Sequence, residues 1–505
     1  MGRNRSGIQQ PGDRLLHLLV IASLLGVAGL GAGEARSGRK GGGGQGEGRM
    51  PVTLMRTEVP AVAYDLVLGR PTRDTITVSV LAYAAREGFL VYGTQPGKYD
   101  RETPPRTFAA GEPVEIELSG LSADTRHYYR LRSRPVGASA WEDSVEGTFM
   151  TARPPGAAFT FTVQADPHLD YGTDPAVYRK SLANALAART DFHVDLGDTF
   201  MTDKYPKFTA AAPQYLAQRH YFSLLGPGAP VFLVLGNHDG EQPGRGGDGP
   251  ESMAVWSNGM RKKYFPNPVP NAFYTGNATP DRHAGLLENY YAWEWGDALF
   301  VALDPFWYST RARGRDGSNW SRTLGEAQYR WLERTLAQST AKYCFVFIHH
   351  LAGGETPEGR GGAEAARFFE WGGHDLDGRN TFAQHRPGWT APIHELLVRR
   401  GGGCVVFHGH DHLYAQQERD GIIYQLVPQP GHQRFDNTRS AAEYGYKSGV
   451  IQGASGIMRV SVAAERAVVE YVRAYPDSAE NATRRTGSVS HRYVVSPRAV
   501  VSRRN

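Results

Sequence analysis

The chain has 505 residues, of which 40% are hydrophobic and 11% aromatic, so it can bury substantial cores and global disorder is excluded. Its length exceeds that of a usual single domain and predicts two domains with flanking segments. The 56 basic and 51 acidic residues leave a formal net charge of +5 without a long basic run, so the sequence carries no signature of nucleic-acid binding.

Residues 1–35 have the three parts of an export signal: early arginines, an apolar stretch from Leu15 to Leu30, and small residues after it. A membrane anchor is the competing interpretation, but the stretch is short for a bilayer span and rich in glycine. We therefore expect cleavage, no membrane span in the mature protein, and an extracytoplasmic location, either secreted or periplasmic. Residues 36–50 are Gly-rich and predict a flexible linker.

Short alternating hydrophobic stretches separated by glycine turns fill residues 51–153. This spacing, without a helical period, predicts an all-β sandwich. The passage from Leu118 to Leu131 resembles a fibronectin type III-like domain, which implies an immunoglobulin/fibronectin III-like fold. We find no cluster of ionisable residues there that suggests chemistry, so the expected role is packing or positioning.

Strands and helices alternate over residues 157–475. Asp174 followed by a proline predicts the start of a helix, and the sequence from Thr323 to Glu326 has the form of a capping box. The alternation predicts an α/β domain with a mainly parallel sheet, whose ligand groups lie at the carboxyl ends of strands. Later strands without intervening helices favour two packed sheets with outer helices. Residues 476–505 are expected to form a C-terminal tail.

Five apolar stretches in this domain each end in residues that can bind metals. The stretches are 159–165, 192–196, 231–235, 345–348 and 405–407. The residues that follow them are Asp166, His168, Asp198, Asn237, His238, Asp239, His349, His410 and His412. Such runs indicate buried strands that deliver side chains to loops at one edge of a sheet. Any one of these residues alone would more often be a capping or core residue, so the prediction depends on the set.

Seven of these residues form a mixed nitrogen and oxygen donor set: Asp166, His168, Asp198, Asn237, His349, His410 and His412. Such a set suits Zn, Fe or Mn and argues against calcium. Seven ligands are too many for one metal and suit two divalent or mixed-valence transition-metal ions that share a carboxylate. Of two adjacent histidines, we assign the ligand to His349 because it directly ends the strand. His350 is then a phosphate contact or a polar neighbour.

The ordered set Asp-x-His, Gly-Asp, Gly-Asn-His-Asp, a strand-end His and Gly-His-x-His resembles the calcineurin-like metallophosphoesterases. The resemblance covers roughly residues 157–475 and implies a two-sheet αββα sandwich. It implies one metal held by Asp166, His168 and His412, a second held by Asn237, His349 and His410, and Asp198 as the bridge. It also implies that His238 is the general acid, held by Asp239.

The implied activity is hydrolysis of a small phosphorylated substrate by attack of a metal-bridging hydroxide, and we favour phosphomonoesters over phosphodiesters. Purple acid phosphatases have a similar front domain, but they place a metal-binding Tyr where this chain has Met201 and lack the His of the first motif, here His168. We therefore do not expect the colour of an iron–tyrosinate centre.

Three alternatives stay open: a nucleotidase-like hydrolase, a phosphodiesterase, and a catalytically silent surface-binding protein on the same scaffold. A nucleotidase-like enzyme typically needs a large C-terminal specificity domain, for which the chain after His412 is short. A silent protein would be expected to lose ligands, yet all seven and His238 are present. Cys344 and Cys404 lie in predicted core strands, as buried thiols or as a single bridge between neighbouring strands.

Overall fold

The computed structural model describes residues 55–310, 318–354, 356 and 359–498. The predicted export signal and Gly-rich linker, residues 1–50, lie outside the described residues. Within the described ranges, no helix combines the length and apolar character needed to cross a membrane.

The first part of the described chain is an antiparallel β-sandwich. Its strands are β1 (Tyr64–Gly69), β2 (Ile76–Ala82), β3 (Arg86–Gly93), β4 (Arg101–Glu102), β5 (Arg106–Phe108), β6 (Val114–Leu118), β7 (Arg126–Pro135), β8 (Glu142–Asp143) and β9 (Gly147–Met150). One sheet has the order β1-β2-β6, and the other has the order β4-β3-β7-β8, with β5 beside β3 and β9 beside β7. Alternate residues of β7 are buried, as expected for a sheet with one face on a core. The all-β prediction is confirmed.

The second part contains strands β10 to β23. These are β10 (Phe159–Gln164), β11 (Phe192–Asp195), β12 (Val231–Leu233), β13 (Thr275–Gly276), β14 (Tyr291–Trp295), β15 (Ala298–Ala302), β16 (Tyr343–Phe347), β17 (Cys404–His408), β18 (Tyr414–Arg419), β19 (Ile422–Leu426), β20 (Val450–Gln452), β21 (Gly456–Ala463), β22 (Arg466–Arg473) and β23 (Val489–Val495). They form two sheets, of order β12-β11-β10-β21-β22-β23 and β13-β14-β15-β16-β17-β19-β18-β20.

The helices of this part connect or follow those strands. They are α1 (Pro175–Ala187), α2 (Ala212–Ser223), α3 (Pro243–Gly246), α4 (Met253–Tyr264), α5 (Glu326–Gln338), α6 (Gly362–Ala365), α7 (Phe369–Gly372), α8 (Phe382–His385), α9 (Ile393–Arg400) and α10 (Arg439–Glu443). Strands β10, β11 and β12 run parallel, as do β15, β16, β17 and β19.

The core between the two sheets is rich in aromatic rings. Phe161 of β10 contacts Phe300 of β15 and Phe345 of β16, with ring centroids 5.1 and 5.0 Å apart. Tilted and edge-to-face contacts of this kind add to the burial of apolar area. Helices α1 and α2 pack on the outer face of the first sheet, and α5 and α9 pack on the outer face of the second. The predicted two-sheet sandwich with outer helices is therefore confirmed.

Two local predictions have different outcomes. Asp174 caps α1 as expected, because its side chain accepts a hydrogen bond from the Ala176 amide at 2.8 Å. The predicted capping box is wrong, since α5 begins at Glu326 itself and its N-cap, Gly325, has no side-chain cap. The buried carboxylate of Glu370 instead accepts the Leu324 amide at 2.7 Å and holds this loop.

The last described strand lies in the segment that we expected to be a C-terminal tail. Residues 489–495 form β23, which pairs antiparallel with β22 at the edge of the first sheet. The two cysteines are free, buried thiols that lie opposite each other on β16 and β17.

A buried ion pair joins the front sandwich to the second part. Arg219 of α2 has no exposed side-chain surface, and its Nε lies 2.6 Å from Oδ1 of Asp65 on β1. The Arg219 guanidinium also donates to the hydroxyl and carbonyl oxygens of Ser79, and the Tyr83 hydroxyl donates to Asp65. The front sandwich therefore supplies the countercharge for a helix of the other domain.

We predict that Asp65→Ala destabilises the protein by about 3–5 kcal/mol, because it leaves the Arg219 charge buried and uncompensated. Urea-induced unfolding followed by circular dichroism measures this change. The matched control is Asp143→Ala, which breaks the exposed pair with Arg132, where the side chains are 35% and 41% exposed. Its effect should be about 0–1 kcal/mol. Equal losses in the two variants would contradict a structural role for the buried pair.

Candidate metal centre

The strand-end loops of both sheets meet at one place. Loops after β10, β11 and β12 carry Asp166, His168, Asp198, Asn237 and His238, and loops after β16 and β17 carry His349, His410 and His412. Because parallel strands end at a common edge, loops far apart in sequence become neighbours. The structure thus brings the seven predicted metal ligands together.

Five of those residues have backbone conformations that L-residues rarely adopt. The positive φ angles are 57° at Asp166, 41° at His168, 55° at Asp198, 82° at His410 and 56° at His412. Left-handed backbone costs a non-glycine residue about 1–2 kcal/mol. Strain that recurs at convergent polar residues is typical of functional sites, where the surrounding structure enforces it.

Motif glycines allow these loops to approach each other closely. A Cβ on Gly197, whose φ is 92°, would lie 2.2 Å from the Gly236 amide nitrogen, and a Cβ on Gly236 would lie 2.0 Å from that of Asp198. Any side chain at either position would therefore push apart the loops that follow β11 and β12.

One candidate metal group consists of Asp166, His168 and His412, whose ligand atoms lie within 4.8 Å of one another. Nε2 of His168 and Nε2 of His412 lie 3.8 and 3.6 Å from Oδ1 of Asp166. His168 Nδ1 faces Oδ2 of Asp170 at 3.3 Å, which leaves Nε2 to point into the group. No motif in the sequence marks Asp170.

A second group consists of Asp198, His349 and His410. Nε2 of His349 lies 3.2 Å from Oδ2 of Asp198 and 3.0 Å from Oδ1 of Asn237. The same Asp198 oxygen lies 3.7 Å from Nε2 of His168. Asp198 therefore stands between the two groups.

The buried carboxylates make the centre attractive to positive charge. Burial alone would lower the pKa of His349, but the charges of Asp198 and Asp166 raise it to about 9. Burial would likewise lower the pKa of His168. The neighbouring Asp166, Asp170 and Asp198 nevertheless raise this pKa well above its ordinary value. The pKa of Asp198 falls well below its usual value despite its burial, because His349 and His238 face it.

Two atoms test whether these residues fit metal ions. Among the described residues, the buried Nε2 of His168 has no hydrogen-bond partner. His349 Nδ1 donates to the Leu196 carbonyl at 2.9 Å, and its Nε2 faces two acceptor oxygens, which a proton on Nε2 satisfies in the charged imidazole and which a metal ion would satisfy beside the neutral one. A cation satisfies such a cluster of acceptors, and imidazole with carboxylate and amide oxygen suits transition metals. The residues present therefore fit a metal pair.

His238 lies at the rim of the centre and is held by a residue that the sequence analysis missed. Its Nδ1 lies 2.9 Å from Oδ1 of Asp203, and its Nε2 lies 3.9 Å from Oδ2 of Asp198. Arg245 in turn donates to Asp203 at 2.5 Å. No sequence motif marks Asp203, which lies in a short 3-10 helix, Thr202–Lys204, after the Gly-Asp motif.

Asp239 does not hold His238, contrary to expectation. Its carboxylate accepts the backbone amides of Gly236, Asp198, Thr199 and Phe200 at 2.7–3.1 Å. Burial raises the pKa of Asp239 to about 7, and the nearby Asp198 charge adds to the effect. Asp239 therefore joins two ligand-bearing loops.

The second group has two further neighbours. His350 is buried beside it, with its ring 4.9 Å from Phe306 and 5.4 Å from His410. Arg360 lies on the other side of His410, with Nη2 2.6 Å from His410 Nε2 and Nε 2.8 Å from Oδ1 of Asp411. Its side chain is 30% exposed.

A family model described as calcineurin-like phosphoesterase matches residues 159–414. This match contains the whole set of motifs and confirms the resemblance drawn from them. No curated protein matches the chain.

Solved structures resemble this fold at low sequence identity. "Structure of PhoD" aligns with a TM-score of 0.57 and 15% identity over 86% of this chain and 90% of that one. The Plasmodium inner-membrane-complex anchor GAP50 aligns with a TM-score of 0.37 and 13% identity over 68% of this chain and 89% of that one. A predicted phosphoesterase from Streptococcus pneumoniae TIGR4 aligns with a TM-score of 0.22 and 12% identity over 64% of this chain and 95% of that one. The first shares the overall fold, front sandwich included, and the other two overlap too loosely to bear on it.

We predict that Asp170→Asn weakens metal binding at the first group by about 10–100-fold. The asparagine oxygen can keep the hydrogen bond from the Gly172 amide, but its NH₂ group opposes the proton on His168 Nδ1. Competition with a chromophoric chelator measures the affinity. Asp174→Asn is the matched control, since asparagine also caps α1 and should leave the affinity unchanged. Equal affinities in both variants would contradict this role for Asp170.

Proposed function

The chain belongs to the calcineurin-like phosphoesterase family, and we propose that it is an exported phosphoesterase that uses two metal ions to hydrolyse phosphate esters. The observation that carries the proposal is the meeting of two His/Asp groups at one buried carboxylate, Asp198. A structural metal site would need only one such group, closed on all sides.

We assign the metals to the donors that converge in each group. One metal is assigned to Asp166, His168 and His412, the second to Asn237, His349 and His410, and Asp198 is shared. The donor set suits Zn, Fe or Mn. When bound, such a pair acidifies water and neutralises charge on the oxygens of a phosphate group.

We propose His238 as the general acid. Its Nδ1 proton is held by Asp203, so the proton on its Nε2 is directed toward the centre, where the leaving oxygen of an ester would need it. Arg245 orients Asp203, and Asp239 fixes the loops that carry Asp198 and His238. The chain thus supplies a positioned proton donor beside the metal ligands.

Positive side chains on both sides of the centre support a preference for phosphomonoesters. Arg245 contacts the Asn237 carbonyl at 3.2 Å, and Arg360 contacts His410; each guanidinium is also paired with a carboxylate, Asp203 and Asp411, so each offers a substrate its remaining N–H donors rather than an unpaired charge. A monoester dianion gains more than a diester monoanion from nearby guanidinium groups. Turnover of nitrophenyl phosphate should therefore exceed that of bis(nitrophenyl) phosphate, and the reverse order would favour the phosphodiesterase alternative.

A catalytically silent protein on this scaffold is a weaker candidate. Selection for binding alone would not require all seven donors to converge, nor would it require a histidine oriented by a carboxylate beside them. The left-handed backbone at five of those donors also carries an energetic cost that chemistry at the site would explain.

Export is proposed from the N-terminal sequence pattern. The apolar stretch after the early arginines and the small residues that follow it have the order of a cleaved signal. The N-terminus of the mature protein should lie near residues 32–37, which sequencing of protein from the extracytoplasmic fraction would test. Retention of Met1 there would contradict the proposal.

We predict that His238→Ala lowers turnover by roughly 10²–10⁴-fold while metal content stays close to that of the wild type. The reason is that His238 contacts Asp203 rather than completing either donor group. The defect should shrink for a good leaving group such as nitrophenolate, which barely needs protonation. Turnover across a series of leaving groups, with metal analysis alongside, measures both quantities.

Two further variants sharpen this test. Asp198→Ala should lose metal and activity with every leaving group, because it removes the shared carboxylate. Asp203→Asn should keep the metals and show a milder form of the His238→Ala defect, with the same dependence on the leaving group. If His238→Ala loses metal, or its defect does not depend on leaving-group acidity, His238 is not the general acid.

A further inference from the structure

A cleft of about 460 Å³ lies at the amino-terminal ends of β10 and β11. Three of the candidate metal ligands, Asp166, His168 and Asp198, follow the carboxyl ends of these same strands. Since β10 has 6 residues and a strand rises about 3.3 Å per residue, the two ends are separated by roughly 20 Å. The cleft is therefore distinct from the metal centre.

Four arginines line this cleft, which we term the arginine cleft. They are Arg126 at the start of β7, Arg153 between the two domains, Arg189 after α1, and Arg466 at the start of β22. They come from separate parts of the chain, so no basic run in the sequence marks them. The acidic residue that lines the cleft is Asp191.

The negative charge of Asp191 is already engaged. Nε and Nη2 of Arg153 lie 2.7 and 3.2 Å from its two carboxylate oxygens, and the indole of Trp295 donates to it at 3.1 Å. This bidentate pair neutralises Arg153. The positive charges of the other three guanidinium groups are therefore not balanced by the acidic residue that lines the cleft.

In the described part of the chain, no carboxylate oxygen lies within 4.0 Å, the limit for an ion pair, of a guanidinium nitrogen of Arg126, Arg189 or Arg466. Arg126 is half-buried and donates to the hydroxyl of Thr148 at 3.3 Å. Burial lowers its pKa, and the charges of Arg189 and Arg153 lower it further, although Asp191 opposes them. A second hollow of about 200 Å³ shares Arg126 and Arg189.

We propose that the arginine cleft binds a multiply charged phosphorus oxyanion, either inorganic phosphate or the phosphate group of an organic ester. Guanidinium groups match oxyanions with paired N–H donors, and a tetrahedral dianion offers enough oxygens for three of them at once. A carboxylate, with two oxygens and one charge, would leave part of the cleft unbalanced. The inference does not depend on the proposed function.

Equilibrium dialysis of the metal-loaded full chain with radiolabelled inorganic phosphate tests the proposal. The wild type should bind phosphate at the metal centre and at the arginine cleft. Asp198→Ala should lose the first site and keep the second. Because Arg189 and Arg466 are exposed, Arg189→Met and Arg466→Met should fold, and each should weaken the second site by about 10-fold or more.

Arg379→Met is the matched control, since its side chain is 76% exposed and pairs with Asp377 on the surface. It removes the same charge and should leave both phosphate sites unchanged. The proposal is overturned if Asp198→Ala abolishes all phosphate binding, or if the Arg189 and Arg466 variants bind phosphate as the wild type does.

Competition with phenylphosphonate distinguishes the two sources of the ligand. Its phosphorus–carbon bond resists ester hydrolysis, and Phe159 and Val462 give the arginine cleft an apolar wall. Tighter binding of phenylphosphonate than of inorganic phosphate would identify an organic phosphate as the ligand. Equal or weaker binding would identify inorganic phosphate.

Discussion

The buried carboxylate of Asp198 is the interaction on which the candidate site depends. One of its oxygens accepts the His238 amide at 2.7 Å, and the other lies 3.2 Å from His349 Nε2 and 3.7 Å from His168 Nε2. An ion taken out of water costs several kcal/mol unless opposite charge and hydrogen bonds compensate it. The backbone amide of Asp198 donates to Asp239, so a second buried carboxylate holds the loop that carries the Asp198 charge. The Asp198 charge contributes to this compensation by raising the pKa values of His168 and His349, the two imidazoles whose Nε2 atoms face it.

Much of this arrangement could be predicted from the sequence, because its determinants are local. An apolar run long enough for a buried strand and a polar loop directly after it fix where a side chain such as Asp166 or His349 emerges. Glycines at positions 197 and 236 mark where the two loops approach closely, although only the structure shows that a Cβ at either position would lie 2.2 or 2.0 Å from a backbone nitrogen of the other loop. When several parallel strands share an edge, local information of this kind is enough to assemble the ligands.

The remaining contacts depend on which loops meet, and the sequence carries no local sign of that. Asp239 is adjacent to His238, but neighbouring residues on a loop point in different directions, and Asp203 is the carboxylate that reaches the imidazole. The predicted capping box failed for the same reason, since Glu370 holds that loop from 46 positions away. Asp65 and Arg219 are 154 positions apart, and their pairing required knowledge of how the front sandwich contacts α2.

Clusters of opposite charge lie at the two ends of β10 and β11. At the carboxyl ends, buried carboxylates and imidazole lone pairs converge and attract cations. At the amino-terminal ends, Arg126, Arg189 and Arg466 converge around a cleft whose one lining acid is engaged by Arg153. Because the two clusters lie at opposite ends of the same strands, roughly 20 Å apart, each must be balanced where it lies. Arg126 belongs to the front sandwich, so that domain contributes to the second cluster as well as to the packing of α2. If the arginine cleft binds an oxyanion as proposed, the front sandwich contributes Arg126 to that site, in addition to the positioning role expected from its strands alone.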